Sequence, residues 1–270
     1  MPDPVTSYVE EIDVPPARDG DASNGGDAPR ATTARVGYIA LREFNARTRE
    51  RLAEALVDVR SGGATRVVLD MRGNRGGAFQ SAVSAAELLI APNRPVVEVL
   101  GQRGEVSTFA TPPASQQARA ERAAREPLLP LQVWVDEYTA SAAEVLAGAL
   151  HDECRALVVG ATPSFGKGLV QAVFGLGDGS GLVLTVARYQ TPAHTAIQGI
   201  GVPPDVVVKL PRAPLPLPGL QQDLRPATRP AADAGFFDEL APAGTARRMC
   251  VPPPALKPGG SANLGAAAAS

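Results

Sequence analysis

Lysine is scarce in this chain of 270 residues. Of its 26 basic residues only three are lysines, Lys167, Lys209 and Lys257, and the rest are arginines. Both residue types are charged at neutral pH, but only lysine readily gives up its proton when its surroundings change. Lys167 stands between two glycines in the stretch SFGKGLVQ (164–171). It is therefore a candidate for proton transfer, for phosphate binding, or simply for a surface charge.

Other scarce features exclude several classes of protein. The net charge of −2 provides no general attraction to nucleic acid or to an anionic membrane. No apolar run approaches the ~20 residues of a membrane-spanning helix, so membrane insertion is not expected. The opening MPDPVTSYVEEIDVPP has acids and prolines where a targeting signal has basic and apolar residues. Two cysteines, Cys154 and Cys250, are too few for a disulfide framework and lack a metal-binding spacing.

The chain divides into three zones by composition. Residues 1–34 are rich in Pro, Gly, Asp and Ala from position 14 onward, and we interpret them as a linker or disordered remnant. Residues 35–209 carry nearly all the periodic pattern and are the predicted catalytic domain. Residues 210–270 are rich in Pro and Ala and are predicted to form an irregular tail.

Strand-like and helix-like patterns alternate in the middle zone, which predicts an α/β domain. Strands are expected at 35–41, 65–71, 95–100, 131–136 and 155–160, and helices at 44–63, 77–91 and 141–154. Gly177-Asp178-Gly179 predicts a β-hairpin between 169–176 and 180–191. In such domains ligands bind at loops beyond the carboxyl ends of strands. Three loops qualify: 71–78, 137–141 and 161–168.

The first two loops carry groups suited to catalysis, each with an ordinary structural alternative. MRGNRGGA (71–78) either binds an anion through backbone N–H groups or simply turns tightly from strand to helix. Ser141 begins a Ser-Ala-Ala-Glu capping box with Glu144, so its commoner role is to cap a helix. Its alanine neighbours leave the hydroxyl accessible, and a helix N-terminus favours nearby negative charge, as a nucleophile requires.

The third loop departs from a phosphate-binding loop at two points. That motif has a glycine, four residues, and then Gly-Lys followed by Ser or Thr. Here five residues separate Gly160 from Gly166, and Gly168 stands where the hydroxyl residue belongs. Nucleotide binding is therefore a minor alternative.

Neither histidine is a convincing base for Ser141. His151 lies ten residues along the predicted helix, which places it roughly 15 Å away along the axis. His194 is not excluded by distance, but no Gly-x-Ser-x-Gly elbow surrounds Ser141. Lys167 is the favoured base, in a serine–lysine pair that needs an uncharged amine in an apolar site. Gln171, four residues on, shares a face with Lys167 and is able to orient its amine.

Three blocks of the chain resemble the C-terminal processing peptidases, also called tail-specific proteases. They are VGYIALREF (36–44), VVLDMRGNRGGAFQSAVSAAELL (67–89) and the run from TASAAEV to PPDVVV (139–208). The blocks occur in the family's order and cover most of residues 36–208. The resemblance implies a crotonase/ClpP-like core, cleavage of a protein or peptide substrate near its free C-terminus, and no metal or cofactor.

Residue roles carry over from the resemblance position by position. Ser141 matches the nucleophile, Lys167 the general base, and Gln171 the residue that positions the lysine. The amide of Gly76 or Gly77, together with that of Ala142, matches the family's oxyanion hole. The two supporting acidic positions are Glu144 and Asp152.

The chain departs from the family pattern in three places. The family's Ser-Ala-Ser-Ala-Ser-Glu run is Thr-Ala-Ser-Ala-Ala-Glu (139–144) here, with the nucleophile position still serine. The loop before Lys167, GATPSFGK, is one residue longer than usual, and the PDZ domain that precedes the family's first block is not seen. The chain is therefore interpreted as a fragment or truncated form. A binding or scaffold protein on the same fold, with weak or no catalysis, is the alternative function. The sequence does not predict the oligomeric state of this protein.

ARYQTPAHT and GVPPD are most similar to the plant, algal and cyanobacterial branch of the family. Members of that branch trim a photosystem II reaction-centre protein in the thylakoid lumen. The resemblance therefore points to a chloroplast substrate of that kind, although no targeting sequence is read in the chain.

Overall fold

The computed structural model describes residues 3–14, 32–113, 128–208 and 252–255. Strands and helices alternate through residues 32–208, which confirms the predicted α/β class. The strands form two sheets, one of six strands and one of four.

The six-stranded sheet has the order β1-β2-β3-β6-β7-β10. Its strands are β1 (Val5–Val14), β2 (Thr32–Leu41), β3 (Arg66–Asp70), β6 (Leu131–Trp134), β7 (Ala156–Gly160) and β10 (Val206–Val207). All neighbours are parallel except β1 and β2. The central strands β3 and β6 are buried along almost their whole length, which explains their continuous apolar sequences.

Within the described residues, three helices pack around this sheet: α1 (Thr48–Ser61), α2 (Phe79–Ala86) and α3 (Ala142–Asp152). In α3 every residue except His151 is buried. A helix that is apolar on all sides belongs inside the protein, and α3 contacts α2, β4 and β7. No helix within the described ranges is long and apolar enough to span a membrane.

The four-stranded sheet is antiparallel, in the order β5-β4-β9-β8. Its strands are β4 (Pro95–Gly101), β5 (Val106–Ala110), β8 (Leu169–Gly175) and β9 (Gly181–Gln190). The predicted hairpin is present: the Leu176 amide donates to the Ser180 carbonyl at 2.8 Å, and Gly179 adopts a φ of 85° that favours glycine. β8 is an edge strand that begins two residues after Lys167.

The N-terminal segment differs from its prediction as a linker or disordered remnant, because residues 5–14 form β1. β1 pairs with β2 along its full length, from Val5–Leu41 to Val14–Thr32. Tyr8 stacks on Tyr38 with ring centroids 5.1 Å apart. β2, the strand that pairs with β1, lies farther along the chain. The local sequence pattern of residues 5–14 therefore gave no sign of the pairing. The predicted tail, 210–270, lies outside the described residues apart from 252–255.

Cys154 is disulfide-bonded, a single cross-link in a sequence with too few cysteines for a disulfide framework. Cys250, the only other cysteine of the sequence, lies outside the described residues. Next to Cys154, Glu153 forms an ion pair with Arg94, which also donates to the Pro253 carbonyl. Pro253 thus lies beside the end of α3. Two cysteines in a long sequence reveal no pairing, since pairing depends on distance in the fold.

Reduction of this disulfide is expected to destabilise the protein. Cross-linking lowers the entropy of the unfolded chain, and a disulfide of this kind contributes about 2–4 kcal/mol. The thermal unfolding midpoint should fall in dithiothreitol, and Cys154→Ser should reproduce that fall without reductant. A variant that keeps the midpoint of the oxidised wild type would contradict this prediction.

Candidate active site

The three loops predicted to carry the chemistry lie at one edge of the six-stranded sheet. They follow the neighbouring parallel strands β3, β6 and β7. The Ala140 amide donates to the Asn74 carbonyl, and the Phe165 amide donates to the Thr139 carbonyl, both at 2.9 Å. The first bond joins the glycine turn to the serine loop, and the second joins the serine loop to the lysine loop.

Ser141 occupies a strained turn immediately before α3. Its φ of 57° and ψ of −118° lie outside the region that non-glycine residues favour. The Ser141 amide donates to Glu144 Oε2 at 2.8 Å, and the Glu144 amide donates to the Ser141 carbonyl at 2.9 Å. Strain of this kind persists where the surroundings enforce it, and it concentrates at functional sites. The backbone therefore favours a chemical role for Ser141 beyond capping the helix.

Glu144 is fully buried and accepts four hydrogen bonds. Its Oε2 accepts from the amides of Ser141 and Lys167, each at 2.8 Å. Its Oε1 accepts from the Gly166 amide and the Ser164 hydroxyl, each at 2.6 Å. Because one oxygen binds both amides, the backbone nitrogens of Ser141 and Lys167 lie no farther apart than twice 2.8 Å. A single carboxylate thus joins the two candidate catalytic residues.

The same bonds argue against a phosphate-binding loop. The Gly166 and Lys167 amides are engaged by Glu144, and the Gly168 amide donates to Gln198 Oε1 at 2.9 Å. A phosphate loop needs such amides free for its ligand. Here an internal carboxylate occupies the place that a phosphate would take.

The side chain of Lys167 does not lie in the buried apolar site expected for it. Lys167 is exposed, and its side chain makes no hydrogen bond or ion pair within the described part of the chain. Gln171 is also exposed, opposite Thr185 on β9, and no bond joins it to Lys167 in those ranges. The reason is that the backbone of 166–168 turns inward to Glu144 and Gln198, which leaves the lysine side chain at the surface.

Ser164 anchors the loop before Lys167. Its hydroxyl donates to Glu144 and accepts from the Val202 amide at 2.7 Å, and its amide donates to the Val202 carbonyl at 3.1 Å. The loop is therefore held on both sides, with the Lys167 backbone beside that of Ser141. Nothing local in the sequence distinguishes Ser164 from a solvated loop serine, so its role could not be predicted.

The glycine turn lies directly against the start of α3. A methyl group added at Gly76, whose φ is 97°, would lie 2.9 Å from Ser141 Cβ and 3.0 Å from the Ala142 nitrogen, so only glycine fits. The amides of Gly77 and Ala142 have no acceptor among the described residues. Unused N–H groups beside a serine are the requirement for an oxyanion hole.

Asp152 lies at the opposite end of α3, roughly 16 Å along the helix axis from Ser141. Its Oδ1 lies 2.8 Å from His151 Nδ1, and its Oδ2 accepts from the Ala193 amide at 2.8 Å. Burial disfavours its charge, but the bonds from His151, Thr191 and Ala193 together hold the pKa of Asp152 below its usual value. Asp152 thus fastens the 191–195 turn to the helix and is too far away to take part in chemistry at Ser141.

The histidines are engaged away from Ser141. His151 lies between Asp152 and Asp205, and His194 Nδ1 lies 2.8 Å from Glu98 Oε2. The turn that carries His194 is the one fastened to the far end of α3. These contacts agree with the choice of lysine over histidine as the candidate base.

His151 is expected to make the stability of the fold depend on pH. The Asp152 carboxylate, and then Asp205 at 3.2 Å from Nε2, raise the pKa of His151 to about 10 from 6.5. The folded state binds this proton more tightly, so the stabilisation is complete below pH 6.5 and disappears as the pH rises through 10. His151→Gln should therefore lower the free energy of unfolding at pH 6 far more than at pH 10. Equal losses in urea denaturation at the two pH values would refute this.

The proteins to which this chain is similar include two peptidases and one solved structure. A carboxyl-terminal-processing protease from Synechocystis sp. is 41% identical over 176 residues, which are 65% of this chain and 38% of that protein. The chloroplastic carboxyl-terminal-processing peptidase 2 of Arabidopsis thaliana is 41% identical over 182 residues, 67% of this chain and 32% of that protein. A photosystem II D1 C-terminal processing protease superposes with a TM-score of 0.61 at 35% identity, covering 77% of this chain and 49% of that one.

The chain spans less than two fifths of the length of these two sequence relatives. The sequence pattern of peptidase family S41 matches residues 35–208. The matched part includes the four-stranded sheet, the three loops, and the six-stranded sheet except for β1 and the start of β2. That range contains Ser141, Glu144 and Lys167 together with the glycine turn. The chain therefore belongs to peptidase family S41.

Proposed function

We propose that this domain is a serine endopeptidase that cleaves a protein substrate near its C-terminus, with Ser141 as nucleophile and Lys167 as general base. The observation that carries the proposal is the Glu144 oxygen that binds the backbone amides of both residues at 2.8 Å. The unused amides of Gly77 and Ala142 beside the serine support it. The names of the relatives support C-terminal processing as the activity.

In the proposed reaction, uncharged Lys167 takes the hydroxyl proton while Ser141 Oγ bonds to the scissile carbonyl carbon. The carbonyl electron pair moves onto oxygen, where the Gly77 and Ala142 amides stabilise it, each by about 3 kcal/mol. The carbonyl re-forms as the C–N bond breaks, and the leaving amine takes the proton from Lys167. Water, deprotonated by Lys167, then attacks the ester, and the departing Ser141 oxygen recovers a proton.

Substrate binding is proposed to supply the burial that Lys167 lacks in the free domain. A polypeptide lying across the three loops would remove water from the amine, which favours its uncharged form. Catalytic hydrogen bonds often form fully only in the complex. Gln171, close in sequence on β8, is proposed to orient the amine in that state.

The D1 precursor of photosystem II is the proposed substrate, and the chloroplast thylakoid lumen is the proposed compartment. One structural neighbour carries D1 C-terminal processing in its name, and several relatives are chloroplastic. A peptide with the C-terminal sequence of that precursor and a free carboxylate is the substrate to test first. The same peptide with an amidated C-terminus tests whether the carboxylate is required.

Labelling by a fluorophosphonate probe, alongside cleavage of an unstructured protein, tests the proposal. Mass spectrometry should find one adduct per chain, on Ser141, and the same preparation should release fragments. Folded protein that neither reacts nor cleaves would overturn the proposal. That result would favour the second candidate, a binding or scaffold protein on this fold, which the exposure of Lys167 and Gln171 supports.

Apolar substrate side chains are expected next to the scissile bond. Tyr138, Phe165 and Ile200 are 44%, 62% and 57% exposed, and backbone bonds gather their loops beside Ser141 and Lys167. Exposed large apolar groups around a site favour apolar ligands. Phe165→Ser should lower kcat/KM about tenfold for peptides with leucine near the bond, because a lost apolar contact of this size costs 1–3 kcal/mol. Peptides with serine there should change little, and equal losses for both would contradict the prediction.

A further inference from the structure

We propose that Asn74 is the positioning residue of the oxyanion hole, and that it selects Gly77 rather than Gly76 as the partner of the Ala142 amide. The inference rests on the proposed peptidase function and adds a residue that the catalytic assignment does not contain. Asn74 lies in the glycine turn, between β3 and α2, and has no exposed surface.

Both ends of the Asn74 side chain are engaged. Its Nδ2 donates to the Leu41 carbonyl at the end of β2, and its Oδ1 accepts from the Gly76 amide, each at 2.9 Å. A buried amide with its donor and its acceptor both satisfied has one favourable orientation. The side chain therefore ties the glycine turn to the neighbouring strand.

The Asn74 backbone makes a second connection, to the serine loop. Its carbonyl accepts from the Ala140 amide at 2.9 Å, one residue before Ser141. The Phe44 amide donates to the Gly76 carbonyl at 2.9 Å, and the Ala78 amide donates to the Phe44 carbonyl at 2.8 Å. The turn is thus held on both sides of Gly77, and its distance from Ser141 follows from Asn74.

The bond to Asn74 decides which amide is free. The Gly76 N–H is already used, whereas the Gly77 and Ala142 amides have no acceptor among the described residues. Ala142 is only 2% exposed. A buried donor without an acceptor is unfavourable unless a ligand supplies one. The tetrahedral oxyanion is the ligand that this pair of donors fits.

Three variants test the role. Asn74→Ala removes both side-chain bonds. Asn74→Asp keeps an acceptor for Gly76 and regains the donor to Leu41 only when its carboxyl is protonated. Thr111→Val is the matched control, because Thr111 is a buried side chain that also bridges two backbone groups, Arg94 N and Ala91 O, away from the serine loop.

Asn74→Ala should lower kcat about 10²-fold, the effect of misplacing a catalytic group by about 1 Å, with KM changed less than about threefold. Affinity for a peptide aldehyde, whose adduct with Ser141 places an oxygen in the hole, should fall by a similar factor, while affinity for the matching peptide alcohol should not. The ratio of kcat for Asn74→Asp to that of wild type should rise as the pH falls from 8 to 5. Thr111→Val should alter none of these ratios.

Hydrogen exchange provides a readout that does not need activity. The Gly76 amide should be protected in wild type and exchange at least tenfold faster in Asn74→Ala, but not in Thr111→Val. An active Asn74→Ala enzyme with wild-type kcat and an unchanged aldehyde-to-alcohol ratio, or unchanged exchange at Gly76, would overturn this inference alone. Wild-type protein that neither cleaves nor reacts with the fluorophosphonate would instead overturn the proposed function.

Discussion

Ser141→Ala, Lys167→Ala and Lys167→Arg are each expected to lower kcat/KM by at least about 10³-fold, since nucleophile and base act as a unit. Ser141→Ala removes the attacking oxygen. Lys167→Ala removes the proposed base, and both histidines are engaged elsewhere. Cleavage of an unstructured protein by the four purified proteins measures the effect.

Lys167→Arg is the informative member of this set. Arginine keeps the positive charge but does not release its proton, so it cannot act as the base. If Lys167 were only an exposed charge that attracts substrate, Lys167→Arg would keep most of the activity. Lys209→Arg, in the same chain, controls for the substitution itself and should be as active as wild type. Near wild-type activity of the Lys167→Arg protein would therefore contradict the assignment of Lys167 as the base for Ser141.

Glu144→Gln is expected to lower both activity and stability strongly. The carboxylate accepts four hydrogen bonds, from Ser141, Ser164, Gly166 and Lys167. Glutamine has the same shape, but its NH₂ would face N–H or O–H donors at one end and leave them unpaired. An unsatisfied buried donor costs about 1–3 kcal/mol, so a loss of roughly 3 kcal/mol in the free energy of unfolding is expected. Displacing the backbones of Ser141 and Lys167, the two proposed catalytic residues, should lower kcat/KM by about 10²-fold or more.

Glu153→Gln is the matched control for this prediction. Glu153 is also a buried carboxyl, but it lies at the far end of α3 and pairs with Arg94, and its Oε1 has no hydrogen-bond partner among the described residues. Burial raises its pKa, so its charge is less favoured than that of an exposed glutamate. Urea denaturation and peptide cleavage should show small changes for Glu153→Gln. Equal effects of the two substitutions would mean that Glu144 has no special connection with the catalytic loops.

Strong local patterns predicted the elements that position the site. The apolar runs of β3 and β6, the helical spacing of α3 and the Gly177-Asp178-Gly179 turn each express a preference that a short segment holds by itself. Because parallel strands end at the same edge, the three loops after them could also be predicted to meet. These elements could be predicted without knowing which residues that are far apart in the chain come into contact.

Three features escaped prediction because each depends on residues far apart in the chain. β1 exists through its pairing with β2, across a linker. The Cys154 disulfide depends on distance in the fold and not on spacing in sequence. Burial of Lys167 was expected because a serine–lysine pair needs an apolar site, yet its backbone faces Glu144 and its side chain reaches the surface.

Residue identity and order were sufficient to select the serine, the lysine and the glycine turn, because their chemistry and spacing are local properties of the chain. Apart from the family resemblance, the sequence indicated only a helix-capping role for Glu144, since Ser141 lies three residues away and Lys167 more than twenty. Folding brings the lysine loop into contact with the Glu144 carboxylate. Folding also decides which glycine amide donates to the Asn74 side chain. Both outcomes follow from hydrogen bonds in a buried space, where every donor must find an acceptor and only the assembled structure determines which one is near.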